Sequence, residues 1–169
     1  MLCEKESTSS FYQKYNQGFK RPPVIIPKIF TVIDVLTKVC CENKNMKEFD
    51  TSFPDAILTG ADQWVKSKSI KNPDFPDYEV IIRGKVDGVL KFADGTHSVI
   101  DFKTCEIQEK TLQKYVRQLS CYSYAMANPN SASDYSVKVN DKIGLFIYEP
   151  NKFEISGDGS ANLGGKLKY

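Results

Sequence analysis

The sequence is poor in histidine and tryptophan, and it has no paired cysteine motif. Its 169 residues include one histidine, one tryptophan and five cysteines. The single His97 rules out Ser–His or Cys–His machinery as an obvious reading. Together with the absence of a Cys-x-x-Cys, it argues against a structural zinc site. Five cysteines without a framework spacing predict free thiols in a reducing compartment.

Long apolar runs and a strong net charge are also missing. No stretch approaches the roughly 18 apolar residues of a membrane span, and the first residues lack the apolar stretch of a secretory signal. We therefore expect a cytoplasmic protein with no membrane partner. The net charge of +2 neither requires nor excludes nucleic acid, because a local basic face would be enough.

The length predicts one domain over residues 1–169, with its core at about 29–148. Apolar residues recurring every third position indicate a first amphipathic helix, and a second helical run has a continuous apolar side. Runs rich in β-branched and aromatic residues indicate strands. The predicted helices are Ile29–Val39 and Thr111–Ala127, and the predicted strands are Val80–Lys91, His97–Cys105 and Val137–Tyr148.

The remaining stretches are less regular. Residues 1–20 are polar with interleaved aromatics, which predicts a short helix or a loosely docked arm. The two prolines of Pro73–Asp77 predict a loop. Trp64 is expected in the core rather than on a base-stacking surface. Residues 166–169 are typical of part of a strand, and we expect a further C-terminal element beyond them.

Two of the predicted strands carry an acid each, and their relative position depends on the turn between them. A two-residue turn would place Asp87 opposite Phe102, with the acids on opposite faces of the sheet. A three-residue loop over residues 93–95, with Gly95 left-handed, shifts the register by one and places Asp87 opposite Asp101. We favour the three-residue loop because the alternative buries a carboxylate.

This register also predicts a metal site. It places Lys85 opposite Lys103 and Val86 opposite Phe102, so acids and lysines share one face. Two opposed carboxylates repel each other and favour a cation between them. Magnesium or manganese suits carboxylate oxygens, and such an ion would polarise a phosphate oxygen and activate water. Lys103 would then orient that water or stabilise negative charge.

Three motifs follow one another in the order of a known family. They are Gly84-Lys85-Val86-Asp87, Asp101-Phe102-Lys103, and Gln118 with Tyr122. Together they resemble the PD-(D/E)XK nuclease superfamily, in particular a small stand-alone member of its RecB-like branch, with Gly-x-x-Asp, Asp-x-Lys and Gln-x-x-x-Tyr. The resemblance covers residues 80–127 firmly and 11–40 loosely. It implies an α/β fold with a restriction-endonuclease-like core, a central mixed β-sheet flanked by helices.

The resemblance also implies roles for individual residues. Asp87, Asp101 and the Phe102 backbone carbonyl would bind Mg²⁺ or Mn²⁺, with Asp34 as a further candidate ligand. Lys103 would be catalytic, and Gln118 and Tyr122 would flank the metal and the DNA backbone. Lys85 is a candidate for nucleic-acid contact. Some relatives hold an iron–sulfur cluster through cysteines on both sides of the core. No cysteine follows Cys121 here, so no cluster is expected.

The implied function is metal-dependent hydrolysis of DNA phosphodiester bonds, by an exonuclease or an endonuclease. The DNA would be single- or double-stranded, and a helicase or another repair or recombination protein is a candidate partner. Two alternative functions stay open. The first is a catalytically inactive nuclease-fold module that binds nucleic acid or a protein partner. The second is an unrelated α+β ligand-binding domain whose acids lie on a solvent-exposed face.

Overall fold

The computed structural model describes residues 27–106 and 109–169, and these residues form two helices, seven strands and one 3-10 turn. The predicted arm at residues 1–20 lies outside them. No described helix is long and apolar enough to cross a membrane. The elements are α1 (Lys28–Cys41), the 3-10 turn Met46–Glu48, β1 (Ala56–Lys66), β2 (Ile70–Asn72), β3 (Phe75–Val80), β4 (Arg83–Phe92), β5 (His97–Thr104), α2 (Glu109–Ala127), β6 (Val139–Ile155) and β7 (Ala161–Lys168).

Five strands form a mixed sheet in the order β1-β4-β5-β6-β7, and β2 pairs with β3 in a separate hairpin. The β5–β6 pair is parallel and the other pairs are antiparallel. Helix α2 connects β5 to β6, which is how a parallel pair is usually joined. This architecture confirms the predicted α/β fold with a central mixed sheet flanked by helices.

The sheet has a separate apolar core on each face. One core packs under α1 and the 3-10 turn, and the other packs under α2. The first consists of Cys41, Met46, Phe53, Ala56, Leu58, Leu90, Ile100, Phe102 and Phe146. The second consists of Val65, Val86, Val89, Val99, Leu119, Ala125, Met126, Leu145 and Ile147. Burial on both faces explains the nearly continuous apolar runs of β5 and β6.

The β4–β5 hairpin has the predicted three-residue loop. Phe92 and Thr96 close it through an N–H···O bond of 2.9 Å, and Gly95 has a φ of 77°. The Asp94 carboxylate accepts hydrogen bonds from the N–H and hydroxyl of Thr96. The ladder then runs from Lys91–His97 to Gly88–Ile100. The predicted register is therefore confirmed for these pairs.

Several details of the predicted elements were wrong. The predicted loop over residues 73–77 is a turn at residues 73–74 only, because β3 begins at Phe75. Its Pro76 is tolerated where the β2–β3 pairing is irregular. The predicted strand Val80–Lys91 begins at Arg83, since Val80 is the last residue of β3. Trp64 is 57% exposed rather than in the core. Strand β6 extends past Tyr148 to Ile155, where it pairs with β7.

Helix α1 forms where predicted, but a different face turns inward. The every-third-residue pattern would have buried Phe30, Leu36 and Val39, yet these side chains are exposed. Lys38 and Cys41 are buried instead. A period of three drifts around a helix of 3.6 residues per turn, so the pattern did not define one face. The inward face consequently carries a charged group.

Candidate active site

Asp87 and Asp101 meet where the β4–β5 ladder ends. Beyond the Gly88–Ile100 pair, the Asp87 side chain takes the place of a strand neighbour: its Oδ2 accepts a 3.4 Å hydrogen bond from the Phe102 N–H. The ladder ends at Gly88–Ile100, so the predicted pairs Asp87–Asp101, Val86–Phe102 and Lys85–Lys103 are absent from it. The strands separate there because Val86 and Phe102 pack in different cores. The gap leaves both carboxylates beside each other.

The Asp101 carboxyl is perturbed by this setting. Only 5% of the residue is exposed. Burial, followed by the hydrogen bond with Asp87, raises the pKa of Asp101 to about 6, against the opposing effect of Lys103. Two carboxyl groups that share a desolvated site cannot both ionise easily. A cation placed between them would relieve this penalty.

Lys103 contacts two of the predicted metal ligands. Its ammonium forms an ion pair with Asp101 Oδ2 and donates a 3.2 Å hydrogen bond to the Phe102 carbonyl. It also lies 5.4 Å from the centre of the Tyr115 ring on α2. The Asp-x-Lys motif therefore places carboxylate, carbonyl and ammonium together at the end of β5.

Lys38 links two further carboxylates, those of Asp34 and Asp62, to Asp87. Its ammonium is 2.9 Å from Asp34, 3.2 Å from Asp62 and 3.3 Å from Asp87. Burial opposes the charge, but the hydrogen bond to Asp34 and the charge of Asp87 raise the pKa of Lys38 above its ordinary value. Asp34, a candidate ligand from the sequence, thus approaches Asp87 through this lysine.

Asp62 was not identified from the sequence, and its position depends on an unusual backbone. It has a φ of 58° within β1 and lies opposite Asp87, between the pairs Ala61–Gly88 and Gln63–Val86. The alternation of faces is also broken on β4 at this point. Val86 packs under α2, whereas a Cβ on Gly88, two residues later, would meet Leu58 in the other core. Asp tolerates positive φ better than most residues.

Hydrogen bonds keep Asp62 ionised. Although burial opposes ionisation, hydrogen bonds from Lys38 and Lys85 lower the pKa of Asp62. The Lys85 ammonium is 3.2 Å from Asp62 Oδ2. Lys85 is therefore held by an acid on β1. The i,i+4 spacing of Asp34 and Lys38 was the one available signal for this cluster, whereas nothing in the sequence marked Asp62.

Gln118 and Tyr122 lie on α2 beside β4. The Gln118 side-chain amide donates a 3.4 Å hydrogen bond to the Tyr122 hydroxyl. The Tyr122 ring covers Gly84, where a Cβ would lie 2.8 Å from the hydroxyl oxygen. Within residues 27–106 and 109–169, neither side chain has a hydrogen bond to Asp87 or Asp101. The glycine of Gly-x-x-Asp and the tyrosine of Gln-x-x-x-Tyr therefore form one packing unit.

The chemistry of the donors fits a hard divalent cation. No three His, Cys, Asp or Glu side chains in the described ranges form a preassembled metal site. However, the buried Oδ2 of Asp101 receives no hydrogen bond of good geometry. The neighbouring groups are carboxylate and carbonyl oxygens, the ligands that Mg²⁺ and Mn²⁺ prefer. Ammonium groups now neutralise these oxygens.

One of three comparisons with known proteins finds a match. Residues 40–161 match the family model described as the PD-(D/E)XK nuclease superfamily. The match includes both acids, Lys103, Gln118 and Tyr122, and it begins at the end of α1. No curated protein matches the chain, and no solved structure does.

Proposed function

The chain belongs to the PD-(D/E)XK nuclease superfamily, and on this basis we propose that it hydrolyses DNA phosphodiester bonds in a reaction that depends on Mg²⁺ or Mn²⁺. The observation that carries the proposal is the proximity of Asp87 and Asp101 at the end of the β4–β5 ladder, where Lys103 forms an ion pair with Asp101. Together these groups have the properties that phosphate hydrolysis requires. The two acids supply oxygen ligands, Asp101 is desolvated, and Lys103 supplies a fixed positive charge.

Asp87, Asp101 and the Phe102 carbonyl would hold the divalent ion. When bound, this ion would supply Lewis-acid stabilisation of the charge that develops on the phosphate and would favour ionisation of water. The raised pKa of Asp101 indicates that its carboxylate is poorly stabilised by the protein alone. A bound cation would therefore improve its surroundings.

Lys103 is the proposed catalytic cation. Its ammonium lies between Asp101 and the Phe102 carbonyl. If these oxygens bound the divalent ion, the ammonium would be free to face the substrate. There it would orient the attacking water or stabilise the phosphate oxygens as the new P–O bond forms and the old one breaks. Such a group typically contributes about two to four orders of magnitude in rate.

The surrounding residues would position these groups. Lys38 fixes Asp87 from the α1 side through its 3.3 Å ion pair. Gln118 and Tyr122 border β4 from the α2 side, where they would contact the DNA backbone. These roles, together with the assignment to a RecB-like branch, are part of the proposal.

The test is cleavage of labelled single-stranded DNA, duplex DNA and RNA with magnesium, manganese or EDTA. We expect cleavage of DNA with either metal and none with EDTA. Lys103→Ala should reduce the rate by about two to four orders of magnitude. Lys91→Ala removes an exposed lysine from β4 at the far end of the same hairpin and should cleave like the wild type.

The result has clear alternatives. If the wild type binds DNA but cleaves nothing with either metal, the chain is an inactive nuclease-fold module. Equal cleavage by Lys103→Ala and the wild type would show that this lysine has no catalytic role. Preferential cleavage of RNA would overturn the assignment to DNA.

A further inference from the structure

The β1–β4 pair continues away from the acids as a row of basic and aromatic side chains. Trp64 pairs with Lys85, and Lys66 pairs with Arg83. Residues two apart on a strand share a face, so these four side chains lie on one face of the sheet. The Lys85 ammonium reaches Asp62, and the Arg83 guanidinium lies 5.5 Å from the centre of the Trp64 ring. We call these four residues, Trp64, Lys66, Arg83 and Lys85, the basic strip.

Trp64 is the unusual member of the basic strip. It is 57% exposed, whereas its neighbour Val65 is buried in the core under α2. The register of β1 therefore directs the largest aromatic ring of the strand towards solvent. Arg83 packs on that ring, which keeps a flat π surface beside a positive charge. An exposed aromatic with cationic neighbours is the arrangement that binds unpaired bases.

A shallow cavity adjoins the ring. It has a volume of about 240 Å³ and is lined by Trp64, Val65, Lys66, Arg83 and Asp134. The acid in its wall, Asp134, accepts hydrogen bonds from the N–H and hydroxyl of Ser131 at 2.9 and 2.8 Å. These hydrogen bonds, together with the nearby charge of Lys66, lower the pKa of Asp134. The other charged side chains of the cavity wall, Lys66 and Arg83, are cations.

We infer that the basic strip binds single-stranded DNA and leads it to the acids of the active site. One base stacks on Trp64, while Arg83, Lys66 and Lys85 neutralise neighbouring phosphates. Successive pairs on the strip lie about 7 Å apart, two residues along a strand, and the row ends at Asp62 and Asp87. A duplex hides its base faces, so stacking on Trp64 selects an unpaired strand. This inference rests on the proposed function, because it identifies the substrate of the same site.

The first experiment uses the full chain and its own fluorescence. Trp64 is the only tryptophan, so its emission reports on this position alone. A thymine oligonucleotide is added in EDTA, where cleavage cannot occur. We expect saturable quenching of the emission, weakened by added salt and hardly reproduced by a duplex of equal length. Binding without any change of emission would overturn the inference.

The second experiment measures affinity by anisotropy of a labelled thymine oligonucleotide in EDTA. Trp64→Ala should weaken binding roughly 5- to 150-fold, the usual range for loss of one stacked base. Arg83→Ala should also weaken it. The matched controls are Phe153→Ala and Lys152→Ala, which remove an exposed aromatic and an exposed lysine from β6, near the opposite edge of the sheet. Both should bind like the wild type.

The outcomes separate this inference from the proposed function. Wild-type affinity in both Trp64→Ala and Arg83→Ala, with unchanged melting temperatures, would overturn the strip even if DNA is cleaved. Stacking on Trp64 without any cleavage would keep the strip and overturn the nuclease. If Trp64→Ala lowers the melting temperature, the inference is judged on the DNA affinity of Arg83→Ala alone.

Discussion

The phenol ring of Tyr122 fills the space in which a side chain at Gly84 would lie. The nearest approach belongs to the ring edge, and the Tyr122 hydroxyl also accepts the Gln118 hydrogen bond. Two motifs that are 34 to 38 residues apart in the chain therefore depend on one contact between β4 and α2. The glycine is required for its small size, since its φ does not lie in the left-handed region.

Gly84→Ala should test this contact. The added methyl group would push the Tyr122 ring away from β4 and break its hydrogen bond with Gln118. We expect a loss of about 1–3 kcal/mol in the free energy of unfolding, measured by urea denaturation. Gly157→Ala is the control, because a Cβ there has open space and no φ constraint. Equal stability of the two variants would show that the ring adapts without cost.

The pH dependence of stability should reveal Asp101. In EDTA, its folded pKa of about 6 exceeds its ordinary value, so the native state binds the proton more tightly than the unfolded chain. This contribution is fully present below about pH 4 and is lost as the pH rises through 6. It amounts to at most about 3 kcal/mol.

Asp101→Asn provides the comparison for that pH profile. An amide cannot ionise, so this variant should lack the decline between pH 4 and 6 and should be more stable than the wild type at pH 7.5. Chemical denaturation across this range gives both results. A decline of the same size in Asp101→Asn would assign it to other groups.

Lys38→Met should expose the repulsion between the acids that Lys38 now neutralises. The variant removes the charge among Asp34, Asp62 and Asp87. These carboxylates are partly exposed and therefore screened, so the cost should be about 1–2 kcal/mol, below the value for a fully buried ion pair. Manganese should recover part of this loss, so thermal melting should show a larger metal response than in the wild type. The control is Lys28→Met, an exposed lysine on the same helix. A smaller metal response in Lys38→Met would mean that Lys38 helps metal binding.

Asp87→Asn should remove most of the metal response. At a concentration of 100 times the dissociation constant, a metal stabilises the wild type by about 2.7 kcal/mol. Asp87→Asn should gain much less, because one ligand is lost. Asp141→Asn changes an exposed acid on β6 and should respond like the wild type. The same metal response in both variants would exclude Asp87 as a ligand.

Local patterns were sufficient to predict the hairpin that holds the acids. The loop over residues 93–95 needs a left-handed glycine, and Gly95 supplies it, so the register from Lys91–His97 to Gly88–Ile100 followed from turn chemistry and face sorting. The same reasoning failed beyond Gly88, where it assumed a regular pleat. Val86 changes face at the point where Asp62 of β1, opposite Asp87, has a positive φ, and the sequence of a single strand carries no sign of that.

The lysine at the centre of the acids was harder to predict. Apolar periodicity found helix α1 but not its inward face, because that face is partly polar and Lys38 is buried only through its acid partners. Asp62 was even harder to predict, since it reaches the acids only because β1 pairs with β4, about 25 residues later in the chain. Both depend on tertiary contacts rather than on propensity.

The two cores of the sheet give the active site a further property. Asp87 is held from the α1 side through Lys38, and Asp101 is reached from the α2 side through Lys103 and Tyr115. The acid pair is therefore connected to the helices on both faces of the sheet. We expect the distance between these carboxylates to change when α1 or α2 shifts relative to the sheet. Cavities made in either core, far from the acids, should then alter metal affinity before they alter the fold.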